Sequence, residues 1–325
     1  MVATVDLCRL VDPAEGLDRQ EWLERIEDIA EDHGHFEPLG PDHSAAFIGR
    51  GRTLLVTFET IDSIRARTSL DVPLGWQLIG GTDWSQLCLM SEGETWFRHI
   101  AVYMYFDRLV DEGFFDEYDR VVFYGAESCG YAAAAFSVAA PGACVLLLSP
   151  QATLDPRDAG WDERFVHMRR ADFTSRYGYA PDMLDAAAHA FVLYDPDLPE
   201  EAMHAALFRR RNVTRIRCPF MNGQIETFLR RMELLGPLIR RAAEGRLDAR
   251  DIHRALRARR EYLPYLRQML RQLETEGRPY LAALMCRAAL GRFNIPRFRQ
   301  ALAANRAELE RRGRRLPARH RPERA

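Results

Sequence analysis

The sequence contains no lysine, because all 45 basic residues among its 325 positions are arginine. This absence excludes mechanisms that need a lysine amine: Schiff-base chemistry, pyridoxal phosphate catalysis, the Walker A loop and the protein-kinase residue set. The sequence also lacks a signal-peptide pattern and any apolar run of the roughly 18 residues that span a membrane. We therefore expect a cytoplasmic protein.

Cysteine and histidine are too scattered to indicate a metal site. The six cysteines form no CxxC pair, and no two histidines or cysteines have ligand spacing on one helix face. We therefore expect reduced core thiols, no bound metal and no cofactor.

The sequence has a net charge of -2, but its charged residues are distributed unevenly along the chain. Residues 1–200 hold 15 arginines against 35 acidic residues, a net charge of -20, whereas residues 201–325 hold 30 against 12, a net charge of +18. Either the basic part docks on the acidic part, which we favour, or it binds a polyanion or a protein partner.

Short apolar runs alternate with amphipathic segments over the first two thirds of the chain. Such runs, rich in Val, Leu and Phe, are typical of strands covered on both faces, and their alternation with helices predicts a parallel sheet with right-handed crossovers. The predicted strands are 53–58, 86–90, 120–124, 143–148, 190–194 and 212–217.

The pattern divides the chain into four parts. Beyond residue 224 only helical periods occur, the first of them at 225–243. The predicted parts are a helical and loop lead-in at 1–44, an α/β domain at 45–223 with an insertion near 154–188, a basic helical region at 224–312 and a disordered arginine-rich tail at 313–325.

One segment carries a chemical signal, between the third predicted strand and an alanine-rich helix. There Ser128 has the small residue Ala126 two positions before it and Gly130 two positions after it. Small flanks and a strand-to-helix context are typical of a nucleophile elbow, in which a serine hydroxyl stands clear of a sharp turn.

Around this motif, residues 45–240 resemble the α/β-hydrolase fold. The resemblance implies a mostly parallel three-layer sheet domain, here followed by an all-helical region, with Ser128 as nucleophile and Asp195, or next Asp197, as the acid. It also implies a set of pocket and oxyanion-loop residues: Glu59, Thr60, Cys129, Gly130, Gln151 and Asn222.

The histidine of such a triad is missing from its expected place. The family has it in the loop after the last strand, and Asn222 or a neighbour stands there instead. Without an imidazole the serine hydroxyl has no acceptor for its proton, a loss of about 10⁶ in turnover in a serine protease. His99 and His167 are the two histidines that could replace it, and a Ser-Lys dyad is excluded.

Three functions follow from these observations. We favour a non-catalytic protein that binds a ligand or partner through the hydrolase-like cleft. The alternatives are a serine hydrolase or acyltransferase that acts on an ester or thioester through Ser128, and an interaction protein that binds a polyanion through the arginine-rich helices.

A further resemblance concerns residues 114–125, which are similar to an uncharacterised proteobacterial group sometimes labelled phosphoadenosine phosphosulfate reductase. That activity needs a Ser-Gly-Gly-x-Asp-Ser loop and a cysteine in a Glu-Cys-Gly motif. Neither occurs in this sequence, so we do not expect the activity.

Overall fold

The protein is described by a computed structural model that covers residues 17–66 and 71–317. Its strands form one sheet in the order β1-β2-β4-β3-β5-β6-β7-β8. β1 and β2 pair antiparallel, as do β2 and β4, and the other neighbours are parallel. The strands are β1 (Gly34–Pro38), β2 (His43–Ile48), β3 (Thr53–Thr60), β4 (Ser85–Ser91), β5 (Arg120–Ala126), β6 (Cys144–Leu148), β7 (His189–Tyr194) and β8 (Val213–Arg217).

Helices connect the strands and continue beyond the sheet. Those of the sheet domain are α1 (Arg19–His33), α2 (Ile61–Arg65), α3 (Leu74–Ile79), α4 (Ile100–Asp111), α5 (Glu127–Phe136), α6 (Pro156–Ala159), α7 (Ala180–Met183) and α8 (Pro199–Leu207). Those that follow are α9 (Ile225–Arg231), α10 (Leu235–Ala243), α11 (Ala249–Ala255), α12 (Leu263–Thr275), α13 (Pro279–Ala289) and α14 (Pro296–Arg311). Short 3₁₀ helices lie at Phe114–Glu117, Ser137–Ala139, Val166–Arg170, Leu184–Ala186 and Leu256–Glu261.

The sheet has a hydrophobic core on each face, as alternating side chains of its strands show. In β5, Val122 and Tyr124 belong to the core shared with α1 and the C-terminal helices, whereas Phe123 belongs to the core shared with α4 and α5. Both faces are therefore covered, which explains why the strands were nearly continuous apolar runs in the sequence.

This arrangement is an α/β-hydrolase-like fold, a mostly parallel sheet followed by an all-helical region, and the predicted fold class is confirmed. The sheet extends further toward the amino end than the predicted boundary at residue 45, because β1 and part of β2 lie within the predicted lead-in. β1 is an edge strand with half-buried or exposed side chains, so it has no continuous apolar run to reveal it.

The C-terminal helices dock on the sheet through apolar side chains. Leu238 and Ile239 of α10 share one core with Val122 of β5 and Leu146 of β6. Within the described residues, the ion pairs of arginines at 224–312 join carboxylates of the same region, such as Arg241 with Asp251 at 2.7 Å. Among the described residues, hydrophobic burial therefore holds the basic helices on the sheet, while the ion pairs of their arginines lie within the helical region itself.

The helical part differs from the sequence prediction in one place, and part of the predicted tail lies outside the described residues. The predicted helix 225–243 is divided into α9 and α10, and Glu233 between them has a positive φ of 57°. Of the predicted tail, residues 318–325 lie outside the described residues, as do residues 1–16 of the lead-in. No helix within the description is both long and apolar enough to cross a bilayer.

Candidate functional site

The turn between β5 and α5 has Glu127 at its tip. β5 ends at Ala126, and Glu127 begins the helix with a positive φ of 54°, a strained conformation for a residue with a side chain. A Cβ on Gly125 would lie 2.1 Å from the carbonyl oxygen of Cys129, so the tight turn requires glycine there. This strained strand-to-helix turn is the position of the nucleophile in a hydrolase elbow.

Ser128 lies one residue beyond this tip. The sequence interpretation centred the elbow on Ser128, whereas the structure centres the turn on Glu127. Ser128 is the second helical residue, and it is 4% exposed. The frame that fits the turn is Gly125-Ala-Glu-Ser-Cys129, with glycine two positions before the tip.

A cleft of about 140 Å³ opens above the turn, and glutamates contribute much of its lining. Glu127 and Glu94 are exposed in the cleft. Glu226 is half-buried, and it accepts a hydrogen bond from the Tyr124 hydroxyl at 2.9 Å. The remaining lining residues are Phe58, Glu59, Thr60, Ser63, Ala126, Ser128 and Cys129.

The pKa of Glu127 is raised to about 7, although its side chain is accessible to water. Desolvation by the surrounding protein is the main cause, and the charges of Glu94, Glu226 and Glu201 add to it. Arg164 opposes the shift. The residue at the tip therefore changes between an acid and a carboxylate near neutral pH.

Asp195, the predicted acid, follows β7 and is fully buried. One carboxylate oxygen accepts from the amide of Asp197 at 3.0 Å, and the other accepts from the amides of Met221 and Asn222, both at 2.7 Å. Desolvation raises the pKa of Asp195, and these hydrogen bonds oppose the increase. The Asp195 carboxylate thus holds the loop after β8 through the backbone amides of that loop.

The two substitute histidines lie away from the cleft. His99 precedes α4, where its Nδ1 accepts from the amide of Ala101 at 3.2 Å, and its ring stacks on His43 at 5.8 Å between centroids. His167 is exposed in the 3₁₀ helix of the insertion. Within the described residues, neither of them nor any other histidine lines the cleft.

A buried imidazole does occur beside the insertion, but both of its nitrogens are engaged. His204 Nδ1 accepts from the amide of Ala152 at 3.2 Å, so Nε2 carries the proton and donates to Asp162 at 2.9 Å. Desolvation lowers the pKa of His204 despite the bond to Asp162. This imidazole is a neutral structural link and has no free nitrogen to accept a proton from a hydroxyl.

The predicted oxyanion-loop residues mainly support nearby helices. Glu59 is buried and accepts from the amide of Leu74 at 2.9 Å, at the start of α3, and Thr60 accepts from the amide of Ser63 at 3.1 Å in α2. Both also line the cleft, as does Cys129.

The other predicted pocket residues do not line the cleft. Gly130 packs behind the turn against Gly125 and Pro150. Gln151 is buried and accepts from the indole of Trp96 at 3.0 Å. Asn222 is exposed, and its backbone amide donates a hydrogen bond to the Asp195 carboxylate. The structure therefore brings Ser128, Glu59, Thr60 and Cys129 together at the cleft.

Among the cleft residues that sequence reasoning missed are Glu94 and Glu226. They belong to distant segments, the loop after β4 and the start of α9, and no motif connects them. Glu127 could have been found from the sequence, because Gly125 stands two positions before it. Within the described part of the chain, no three His, Cys, Asp or Glu side chains are grouped to hold a metal ion.

Comparison with known proteins finds distant structural neighbours and no sequence relative. Neither a protein-family model nor a curated protein matches this sequence. Similar solved structures include a capsule O-acetyltransferase of Neisseria meningitidis serogroup A, with 10% identity over 62% of this chain and 96% of that chain at a TM-score of 0.39. A Pyrobaculum calidifontis esterase is 13% identical over 72% of this chain and 95% of its own chain, with a TM-score of 0.39. The carboxylesterase EstE1 from a metagenomic library is 15% identical over 70% of this chain and 98% of its own chain, with a TM-score of 0.38. At these identities and TM-scores, the likeness says nothing about the substrate of this chain.

Proposed function

We propose that this protein is a non-catalytic ligand-binding protein that uses the cleft of an α/β-hydrolase-like fold. The observation that carries the proposal is that Glu127 occupies the strained tip of the elbow, where a serine hydrolase has its nucleophile. The hydroxyl next to it is buried, and no histidine of the described residues lines the cleft. Acyl transfer through Ser128 therefore lacks both an exposed nucleophile and an imidazole base among the described residues.

The charge of the cleft indicates the kind of ligand. Glu94, Glu127 and Glu226 contribute carboxyl groups to a space of about 140 Å³, which suits a small group more than a polymer. Carboxylates accept hydrogen bonds from donors and repel anions. We therefore assign to the cleft a ligand group that is cationic or rich in hydrogen-bond donors, such as an amine.

Labelling with a fluorophosphonate tests the absence of catalysis. The wild-type protein and Ser128→Ala should both remain unlabelled from about pH 6 to about pH 9, because the reagent needs an activated hydroxyl. Glu127→Ser, which puts a hydroxyl at the tip, should also remain unlabelled because no histidine of the described residues lines the cleft to activate it.

Three outcomes would contradict the proposal. Label on the wild type that disappears in Ser128→Ala would restore the serine hydrolase. Turnover of a nitrophenyl ester that disappears in Glu127→Gln would make the tip carboxylate a nucleophile. Strong labelling of Glu127→Ser would show that a hydroxyl at the tip is activated without a histidine, and it would remove the reason given for the absence of catalysis.

Glu127→Gln tests the electrostatics of the cleft through the stability of the protein. Because folding raises the pKa of Glu127 from 4.5 to about 7, the folded state binds its proton more tightly than the unfolded state does. Stability is therefore lost as pH rises through this interval. After allowance for solvent screening of the exposed side chain, Glu127→Gln should be about 1 kcal/mol more stable than wild type at about pH 8, and equally stable near pH 4.5.

Urea denaturation at a series of pH values measures this difference. Glu112→Gln, which removes an exposed carboxylate at the end of α4, is the control and should show no such pH dependence. Butylammonium should reduce the advantage of Glu127→Gln at high pH, because a cation stabilises the ionised carboxylate of the wild type, and butyrate should not. An equal response to both ions would contradict the assigned ligand class.

A further inference from the structure

A second binding space lies in the basic helical region, away from the cleft at Glu127. This groove of about 540 Å³ runs between α12, α13 and the loop after β8, and its volume is in the range of small-molecule sites. Its walls are mostly apolar. The main wall side chains are Phe220, Leu266, Met269, Leu273, Leu284 and Met285.

Three guanidinium groups line the same groove, those of Arg259, Arg260 and Arg292. Arg292 donates to the backbone carbonyl of Arg260 at 3.1 Å, and the Arg259 guanidinium lies 5.6 Å from the centre of the Tyr265 ring. None of the three forms an ion pair with a carboxylate of the described residues. The groove is therefore apolar along its walls and positively charged at one end.

The Nη1 atom of Arg259 is buried and has no hydrogen-bond partner within the residues that the structure describes. Such a donor is uncommon in native structures, because a buried polar group without a partner destabilises the fold. A carboxylate is the acceptor that fits a guanidinium best, since its two oxygens match two parallel N–H groups.

We infer that this groove binds a medium-chain aliphatic carboxylate, with its carboxylate at Arg259 and its alkyl chain along α12. From Tyr265 to Leu273 the helix rises by about 12 Å at 1.5 Å per residue. An extended alkyl chain advances about 1.3 Å per carbon, so about ten carbons fit this length. Burial of the chain against leucine and methionine supplies the affinity, and the guanidinium group selects the anion.

The size and character of the groove favour this occupant over a macromolecule. A stable interface with a protein usually buries about 800 Å² on each partner, far more than a 12 Å groove offers. A nucleic acid would contact arginines through its phosphates and leave the apolar walls unused. The inference concerns a different site from the proposed function, and either can fail without the other.

Calorimetric titration of the full chain with dodecanoate tests the inference. At pH values where the acid is ionised and below micelle-forming concentrations, dodecanoate should bind about tenfold more tightly than dodecyltrimethylammonium, which has the same chain with a positive head. Arg259→Gln should weaken dodecanoate binding about tenfold. Arg257→Gln, an exposed arginine of the same 3₁₀ helix that does not line the groove, should leave it unchanged.

A second pair of variants avoids any loss of folding. Ala288 lines the groove four residues before Arg292, at the arginine end, and it is exposed, so polar side chains are tolerated there. Ala288→Asp should weaken dodecanoate binding about fivefold relative to Ala288→Asn, because only the first adds a negative charge near the bound carboxylate. The same change should strengthen binding of dodecyltrimethylammonium.

Three results would overturn the inference. One is equal affinity for the two amphiphiles of opposite charge, and another is identical behaviour of Ala288→Asp and Ala288→Asn. The third is a salt-sensitive gel shift with duplex DNA that Arg259→Gln abolishes, in a protein that does not bind dodecanoate. That result would assign the arginines to nucleic acid.

Discussion

Replacement of Asp195 with alanine should lower the free energy of unfolding by about 3 kcal/mol. Its buried carboxylate accepts three backbone hydrogen bonds, two of them from Met221 and Asn222 in the loop after β8. Alanine would leave these amides without their acceptor, and each buried donor without a partner costs about 1 to 3 kcal/mol of stability. Water that enters the space left by the carboxylate would offset part of this loss. Urea denaturation measures the loss, and faster hydrogen exchange at residues 221 and 222 would locate it.

Asp197→Ala is the matched control for this variant. Asp197 is exposed and accepts a single hydrogen bond at 3.2 Å, from the amide of Phe220 in the same loop. Its removal should cost less than about 1 kcal/mol. Equal losses for the two variants would show that Asp195 does not hold the loop, and the argument that it has taken up a structural role would fail.

Gly125→Ala should destabilise the protein by at least about 3 kcal/mol or prevent folding. The added methyl group would lie 2.1 Å from the carbonyl oxygen and 2.5 Å from the carbonyl carbon of Cys129. These are backbone atoms of α5, which cannot move without opening the turn that holds Glu127. Overpacking of this kind usually costs about 1 to 3 kcal/mol, and contact with rigid backbone places this case at the upper end.

Gly236→Ala provides the comparison for this effect. A Cβ at Gly236, near the start of α10, would meet only the side chain of Leu78 at 3.3 Å, which is flexible enough to move. Alanine also favours the helix, so the free energy of unfolding should change by less than about 1 kcal/mol. If Gly125→Ala were tolerated equally well, the tight elbow around Glu127 would be in doubt. Denaturant midpoints with unchanged slopes would measure both variants.

The strands of the sheet were largely predictable because a strand buried on both faces must be apolar. The predicted strands 120–124 and 143–148 overlap β5 and β6, and the crossover helix between them was found as well. β1 was not predicted because an antiparallel strand at the edge of a sheet need not be apolar. β2 lies between β1 and β4 and is mostly buried, but it begins with His43 and Ser44 and continues with two alanines, so it is not a run of Val, Leu and Phe. Nothing local distinguishes β1 from a loop until its partner β2 is known.

The candidate site was predictable in place but not in detail. The turn after the third predicted strand was identified, whereas the residue at its tip differs by one position from the sequence interpretation. In β5, pairing with β6 continues to Ala126 opposite Leu148, so the next residue, Glu127, takes the positive φ. Glu94 and Glu226 could not be predicted, because only the folded chain brings their segments to the cleft.

The sequence alone determined which chemistry is excluded, because the absence of lysine needs no structure to interpret. It also determined the fold class, since hydrophobic periodicity follows directly from burial. The tertiary structure decided the rest. It showed that Glu127 lies at the tip of the elbow, that backbone amides donate hydrogen bonds to the Asp195 carboxylate, and that the basic helices dock through apolar contacts. These features depend on contacts between residues far apart in the chain, which local patterns of side chains do not encode.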